Sequence, residues 1–398
     1  MIEFEAATGI ERIKSGPVER KRTGILKDPR YAGHCMGPGE PECPERLDVL
    51  NALLLEPDLS GCFKDISPRM AEKEELERVH SADYIRRLEA TSGRGPVYLD
   101  EDTRTSSLSN EAAQLAAGGL CQAIEEVHAG LVDNAFALVR PPGHHAEQAA
   151  ARGFCLYNNV AIAAHFAQSK LGLTRILVVD WDLHHGNGTQ HCFEDDPSVL
   201  FFSTHQAFTY PHSGSLREIG KGKGKGYTVN VPLLPGFGDG DYLMIFERLL
   251  KPIALAFRPD LVLVSAGFDI HFNDPLGGMK VTPAGFAGLT RVLLDIAEQC
   301  CEGKLVMTLE GGYNLEALRD SVREVLSEMV GRRTTDIYGM MASADPKKIA
   351  YVLWRVKRMH QKYWQCLALS STGSAPTVPS RMDRFRGTLS RWIAYFKS

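Results

Sequence analysis

The sequence predicts an α/β fold, a parallel sheet covered by helices on both faces. Three observations predict it. Short apolar runs rich in β-branched residues recur at 175–180 (RILVVD), 260–265 (DLVLVS) and 304–309 (KLVMTL). Stretches with helical periodicity separate them, and strands alternating with helices imply parallel pairing. Each run also leads directly into a polar cluster, as expected where a parallel sheet presents its carboxyl ends to a ligand.

Taken in chain order, the first 110 residues read as irregular, with Pro and Gly dense in GPGEPECPERL (37–47). Residues 110–131 carry Ala113, Leu115, Ala116, Leu120, Ile124 and Val127 near a 3.6-residue period, with Ser109 placed as N-cap. A weaker strand, AFALVR, follows at 135–140. Helical patterns at 158–168, 242–257 and 282–300 alternate with the three strong strands. The run GKGKGKG (220–226) lacks the phosphate-cradling G-x-x-x-x-G-K-[ST] spacing and reads as a turn before the strand-like YTVNVPL. An amphipathic helix is expected over 346–367. Residues 370–380 (SSTGSAPTVPS) then lack the apolar content to order themselves, and a basic, aromatic segment follows. One catalytic domain over 1–368 and a tail over 369–398 are therefore expected. The tail reads as a docking helix or as a contact for a partner or a second copy.

Composition narrows the function by exclusion. With 45 Lys plus Arg against 49 Asp plus Glu, the net charge is −4, so no field for nucleic acid is evident. At 44% hydrophobic the 398 residues can bury a sizeable core. Nine cysteines, an odd number without a CxxC pair, fit reduced thiols. The first residues carry no apolar signal-like stretch, and no run of ~18 apolar residues occurs. A cytoplasmic protein with no membrane segment is the expectation.

Chemistry concentrates in RPPGHHA (140–146), DWDLHHGNGT (180–189), SAGFD (265–269) and LEGGY (309–313). In an extended chain Asp180, Asp182 and His184 share a face, and carboxylates that close need a cation. Asp182, His184 and Asp269 would form a one-His, two-Asp metal site with open positions. Such a donor set suits Zn²⁺, and equally Fe²⁺, Co²⁺ or Mn²⁺. Hydrolysis there needs a base for the attacking water and an acid for the leaving amine, roles that His144 and His145 can supply. Each would be oriented through its other ring nitrogen, with Asp180 and Asn187 the candidate partners. An Asp raises a histidine's pKa and an Asn hardly does, so unequal roles are expected. Tyr313, after the flexible Gly311 and Gly312, could stabilise an oxyanion.

Together RPPGHHA, GFCLYNNVA (153–161), DWDLHHGNGT, SAGFD with DPLGG (274–278) and LEGGY resemble the histone deacetylase family, over about 20–325. The Asn of HHGN resembles class II and bacterial members. The resemblance implies the arginase–deacetylase fold: three layers, α-β-α, around a mostly parallel eight-stranded sheet. It implies an amidohydrolase that removes acetyl from the ε-amino group of lysine in a protein or peptide. Asp182, His184 and Asp269 match the zinc ligands, His145 the general base, His144 its electrostatic partner or proton donor, and Tyr313 the catalytic tyrosine. Gly153, Phe154 and Tyr210 match the walls of an acyl-lysine tunnel. A structural K⁺ would use Asp180 with backbone oxygens near Asp182, His184, Ser203 and Thr204. Asp100 or Asp102 would supply a rim carboxylate that grips substrate backbone. Leu276 stands where polyamine-specific relatives carry Glu, which argues against the alternative of an acetylpolyamine deacetylase. A non-catalytic acyl-lysine binding scaffold is the third reading, and it would not need Tyr313.

Overall fold

The computed structural model describes residues 21–332, 335–369 and Pro376. Its strands are β1 Thr23–Leu26, β2 Phe63–Ile66, β3 Val97–Tyr98, β4 Arg104–Thr105, β5 Asn134–Ala137, β6 Ile176–Asp180, β7 Val199–Gln206, β8 Thr228–Leu233, β9 Leu261–Ala266 and β10 Leu305–Leu309. Eight of them form one sheet in the order β2-β1-β5-β10-β9-β6-β7-β8, and β3 and β4 make a small hairpin. Every pair in the large sheet is parallel. Strands β5, β6, β9 and β10 are buried along their whole length. This explains their unbroken apolar runs, because a sheet covered on both faces has no solvent side to demand alternation.

The strand order places the chemistry. Strands β5, β10, β9 and β6 are consecutive neighbours in the middle of the sheet. Their carboxyl ends lead into the four polar clusters, which are far apart in sequence. Register keeps those ends level: Asp180 lies opposite Ser265 and Ser203, and Leu309 opposite Ala266.

Helices flank the sheet, and their caps follow the sequence. Asn158 caps Asn159–Leu171 by accepting from the Ala161 amide at 3.0 Å, and Gly172 ends that helix at φ 71°. Thr282 caps Pro283–Cys301, with Pro at the first turn. The helix expected over 242–257 starts earlier and is interrupted: Asp239–Ile245, a π turn Phe246–Leu250, then Lys251–Phe257.

Several expectations are corrected. Residues 21–110, the described part of that stretch, are not irregular. They hold β1, β2, the helices Glu45–Leu54 and Ala82–Glu89, and the β3-β4 hairpin. Strands of four residues are too short to show a period, and β2 is an edge strand exposed at Lys64 and Asp65. Strand β7 also went unrecognised. The weak strand expected at 135–140 runs only over Asn134–Ala137, and Arg140 beyond it is buried in an ion pair with Glu42. Ser109 lies inside the first turn of Ser109–His128; its hydroxyl accepts from the Ser106 amide at 2.7 Å and meets His34 Nδ1 at 2.8 Å. The amphipathic helix Pro346–His360 stops before the expected 367 and covers β8 with Ile349, Val352 and Val356. The glycine-lysine run is a turn, anchored where Trp364 Nε1 donates to the Gly226 carbonyl at 2.9 Å. The tail beyond Leu369, apart from Pro376, lies outside the described residues. No helix among the described residues is long and apolar enough to cross a membrane.

Candidate active site

The tandem histidines sit on the turn after β5, and both are 3% exposed. Their rings lie 3.9 Å apart. His144 Nδ1 meets Asp180 Oδ2 at 2.9 Å, and His145 Nδ1 meets Asn187 Oδ1 at 2.7 Å. The partners differ in charge, and the imidazoles differ accordingly. Burial opposes charging His144, but Asp180, Asp182 and Glu310 outweigh it and raise its pKa to about 10. Burial, with the charges of His144 and His184, pushes His145 well below the usual histidine range.

Asp182, His184 and Asp269 bring their donor atoms within 4.8 Å of one another. His184 Nδ1 is 3.2 Å from Asp182 Oδ1 and 3.0 Å from Asp269 Oδ2. Backbone amides orient the carboxylates: Leu183 N donates to Asp269 at 2.8 Å, and His184 N and Gly311 N donate to Asp182 at 2.8 Å. Glycines make the room. A Cβ on Gly311 would come within 2.5 Å of Asp269 Oδ2 and 2.6 Å of Asp182 Oδ2, and one on Gly267 would collide with Asp182. Burial and the adjacent Asp182 raise the Asp269 pKa, the signature of crowded carboxylates that a cation would relieve. This buried, glycine-lined donor set fits a divalent metal with positions left open.

Tyr313 follows β10 on the LEGGY loop. Its amide donates to Asp274 Oδ2 at 2.7 Å, and the Arg46 guanidinium lies over its ring at 5.2 Å. Burial, then the charges of Asp269 and Asp182, hold its phenol well above the usual range, so it remains a hydrogen-bond donor.

The walls gather around these groups. Tyr210 meets the His145 ring edge-on at 5.0 Å, and Phe154 meets Tyr313 edge-on at 5.9 Å. Gly153 and Phe154 both adopt left-handed backbone, φ 52° and 68°. A Cβ on Gly153 would strike the His145 ring, so only glycine serves there. Asp102 and Thr103, on the β3-β4 loop, hold that strained turn: Asp102 Oδ1 accepts from Gly153 N at 3.1 Å and Thr103 Oγ1 from Phe154 N at 3.0 Å. Asp102 is thus committed to the wall. Asp100 instead accepts from Glu101 N at 2.8 Å and faces Arg152 at 4.0 Å. Leu276 is 42% exposed at the rim, its amide donating to Asp274 Oδ1 at 2.9 Å. Ser203 and Thr204 are buried near the end of β7; Ser203 pairs in register with Asp180 and meets His205 Nδ1 at 2.9 Å, and the Thr204 hydroxyl has no hydrogen-bond partner among the described residues.

Sequence reasoning missed several supporting residues. Glu310 is wholly buried and accepts from Gly143 N at 2.6 Å, His144 N at 3.2 Å and Ser265 Oγ at 3.1 Å, tying the histidine turn to β9 and β10. It stands inside the LEGGY motif, so its signal was present. Arg46 donates to the carbonyls of Gly312 at 2.7 Å and Glu310 at 2.6 Å, fixing the tyrosine loop. Nothing local marked it, since it falls in the stretch read as irregular. His144, Cys155 and Glu310 also cluster, but Glu310 is engaged with backbone amides and the Cys155 thiol, raised by burial, faces the Gly153 carbonyl at 3.3 Å.

Comparison with known proteins identifies relatives over most of the chain. A family model described as Histone deacetylase domain matches residues 40–329. The chain is 39% identical over 366 residues to a "Probable deacetylase" of Archaeoglobus fulgidus, covering 86% of this chain and 99% of that one. It is 41% identical over 366 residues to "Polyamine deacetylase HDAC10" of Homo sapiens, covering 86% of this chain but only 52% of the human protein. The crystal structure of the HDA15 HD domain superposes with a TM-score of 0.80 at 38% identity, covering 86% of this chain and 97% of that one. The sheet is that of the arginase–deacetylase fold, and with the family match spanning more than half of its length, the chain belongs to the histone deacetylase family.

Proposed function

We propose that this protein is a zinc-dependent amidohydrolase that removes acetyl and related acyl groups from the ε-amino group of lysine in proteins or peptides. The observation that carries the reading is the meeting of the Asp182, His184 and Asp269 donor set with the tandem histidines and Tyr313 in one buried cleft. A zinc ion held by those three residues would supply Lewis acidity for the amide carbonyl and the attacking water; Fe²⁺ or Co²⁺ would suit the donors as well.

The chain's own groups divide the remaining work. His145, held neutral by burial, accepts the proton of the attacking water while its oxygen bonds to the carbonyl carbon. Tyr313 donates to the oxygen that becomes negative. His144, kept cationic by Asp180, steadies that charge. The C–N bond then breaks, the amine leaves with a proton from the histidine pair, and a carboxylate remains. Phe154 and Tyr210 would hold the four-carbon stem by dispersion and exclude water, favouring a neutral acetamide over a hydrated ammonium. Asp100 would accept hydrogen bonds from substrate backbone. A potassium ion held by Asp180 and backbone oxygens near Asp182, His184, Ser203 and Thr204 is part of the same proposal; the buried Thr204 hydroxyl there has no partner among the described residues. So is a cytoplasmic location, which the nine unpaired thiols favour.

The named activity of the human relative supports a second reading, acetylpolyamine hydrolysis. The apolar, exposed Leu276 disfavours it, because it offers a cationic chain no countercharge. Acetyl-lysine peptides, longer acyl-lysine peptides and acetylated polyamines, assayed side by side with metal analysis, test both. Turnover of the peptides is expected; turnover confined to polyamines would establish the second reading, and bound metal without turnover of either would leave a binding scaffold.

A further inference from the structure

The two histidines present an asymmetry that their immediate partners do not resolve. Asp180 is a carboxylate, able only to accept, so the nitrogen of His144 that faces it must carry hydrogen. Asn187 is an amide with an acceptor at one end and a donor at the other. Facing His145 with Oδ1, it requires hydrogen on Nδ1 and leaves the Nε2 lone pair free to act as a base. Flipped, it would present its NH₂, demand a lone pair on Nδ1 and place the hydrogen on Nε2, where no proton could then be taken. Something beyond Asn187 has to choose.

We propose that Glu147 is the positioning residue that makes this choice, fixing the Asn187 amide and through it the base-competent tautomer of His145. Asn187 Nδ2 donates to Glu147 Oε1 at 2.6 Å and, less closely, to the His145 carbonyl at 3.3 Å. A carboxylate has nothing to donate, so the NH₂ end must face Glu147 and the oxygen must face His145 Nδ1, 2.7 Å away. Glu147 is itself anchored. Its amide donates to the Ala150 carbonyl at 2.9 Å, and its carbonyl accepts from His80 Nδ1 at 2.9 Å. Because His80 Nε2 accepts from the Asn158 amide, Nδ1 is the protonated nitrogen. Both carboxylate oxygens of Glu147 lie 3.0 Å from Nδ1 of His191, a half-exposed histidine on the same short helix as Asn187. Burial alone would raise the Glu147 carboxyl, but His191, Asn187 and Arg152 outweigh it and keep it ionised. Glu147 therefore supplies at His145 the directionality that Asp180 gives His144 by its own chemistry.

The role of His145 as base rests on the proposed hydrolase reading, so the test reads the ring directly as well as turnover. In metal-loaded enzyme labelled with ¹⁵N-histidine, with the His145 signals identified by their loss in His145→Ala, the wild type should show hydrogen on Nδ1. Glu147→Leu should introduce the Nε2-protonated form and lower kcat roughly tenfold or more with KM little changed. Glu147→Gln, which can present either end of its own amide, should give a smaller shift in the same direction and serves if the leucine variant folds poorly. The decisive comparison is the Asn187→Asp background. There the partner of His145 can only accept, no amide remains to orient, and Glu147→Leu should leave kcat unchanged or raise it by removing a like charge. An equal fall in both backgrounds, or an unaltered His145 tautomer in Glu147→Leu and Glu147→Gln, would overturn the proposal. Absence of turnover on every amide would remove the hydrolase reading and leave the tautomer measurement intact.

Discussion

The floor of the cleft and its rim are built by different means. On the floor, Asp180, Asp182, Asp269 and Glu310 are each at most 1% exposed, and strand ends and backbone amides fix them. At the rim, Asp100 sits on the loop between the short strands β3 and β4, and Leu276 is 42% exposed on the loop after β9. Under the proposed function, the difference separates where reaction and selectivity would reside. Buried charges must be paired or bound to a cation, so the floor tolerates few sequences and its chemistry is readable. Exposed loop residues satisfy themselves with water, so the rim is free to vary with substrate.

The sharpest break in that contrast is Asp269→Ala. Removing one of three protein donors should lower metal affinity by at least ~100-fold and abolish turnover; metal content per chain checks it, and full occupancy would take Asp269 out of the ligand set. Tyr313→Phe should lower kcat by about 10² to 10³ while metal content stays at the wild-type level, and wild-type turnover would remove the oxyanion role.

Acid should also separate the two regions. Burial depresses His80 and His205 to about 4. Their stabilisation is complete above the unfolded histidine pKa near 6.5 and is lost as pH falls from there to about 4, because the unfolded chain takes up protons first. Each should cost ~1.4 kcal/mol of unfolding free energy per pH unit within that window. Denaturant melts of wild type, His80→Gln and His205→Gln check this, and an unchanged pH slope in the variants would reassign the effect. The smallest change belongs to the rim: Leu276→Glu should shift the kcat/KM ratio toward acetylpolyamines roughly fivefold, as expected of one exposed charge, without altering metal content. A loss of metal there would show that rim and floor are coupled.

Legibility followed the same division. DWDLHHGNGT and SAGFD disclosed the buried donors because Asp and His so spaced are costly without a task. Arg46 was not legible. It reaches the Gly312 and Glu310 carbonyls from a helix more than 260 positions away, and only packing creates that contact. Asp100 and Asp102 looked equivalent in sequence. The structure separates them, because one hydrogen bond commits Asp102 to the Gly153 turn.

The sequence by itself determined the α/β class, the motifs at the strand ends and the residue types able to hold a metal, since each depends on local period and on the cost of burying charge. The tertiary structure alone decided that β5, β10, β9 and β6 stand side by side, so that four distant clusters share one floor. It alone linked Glu147 through Asn187 to His145, because the direction of an amide is set by which groups surround it and not by its place in the chain.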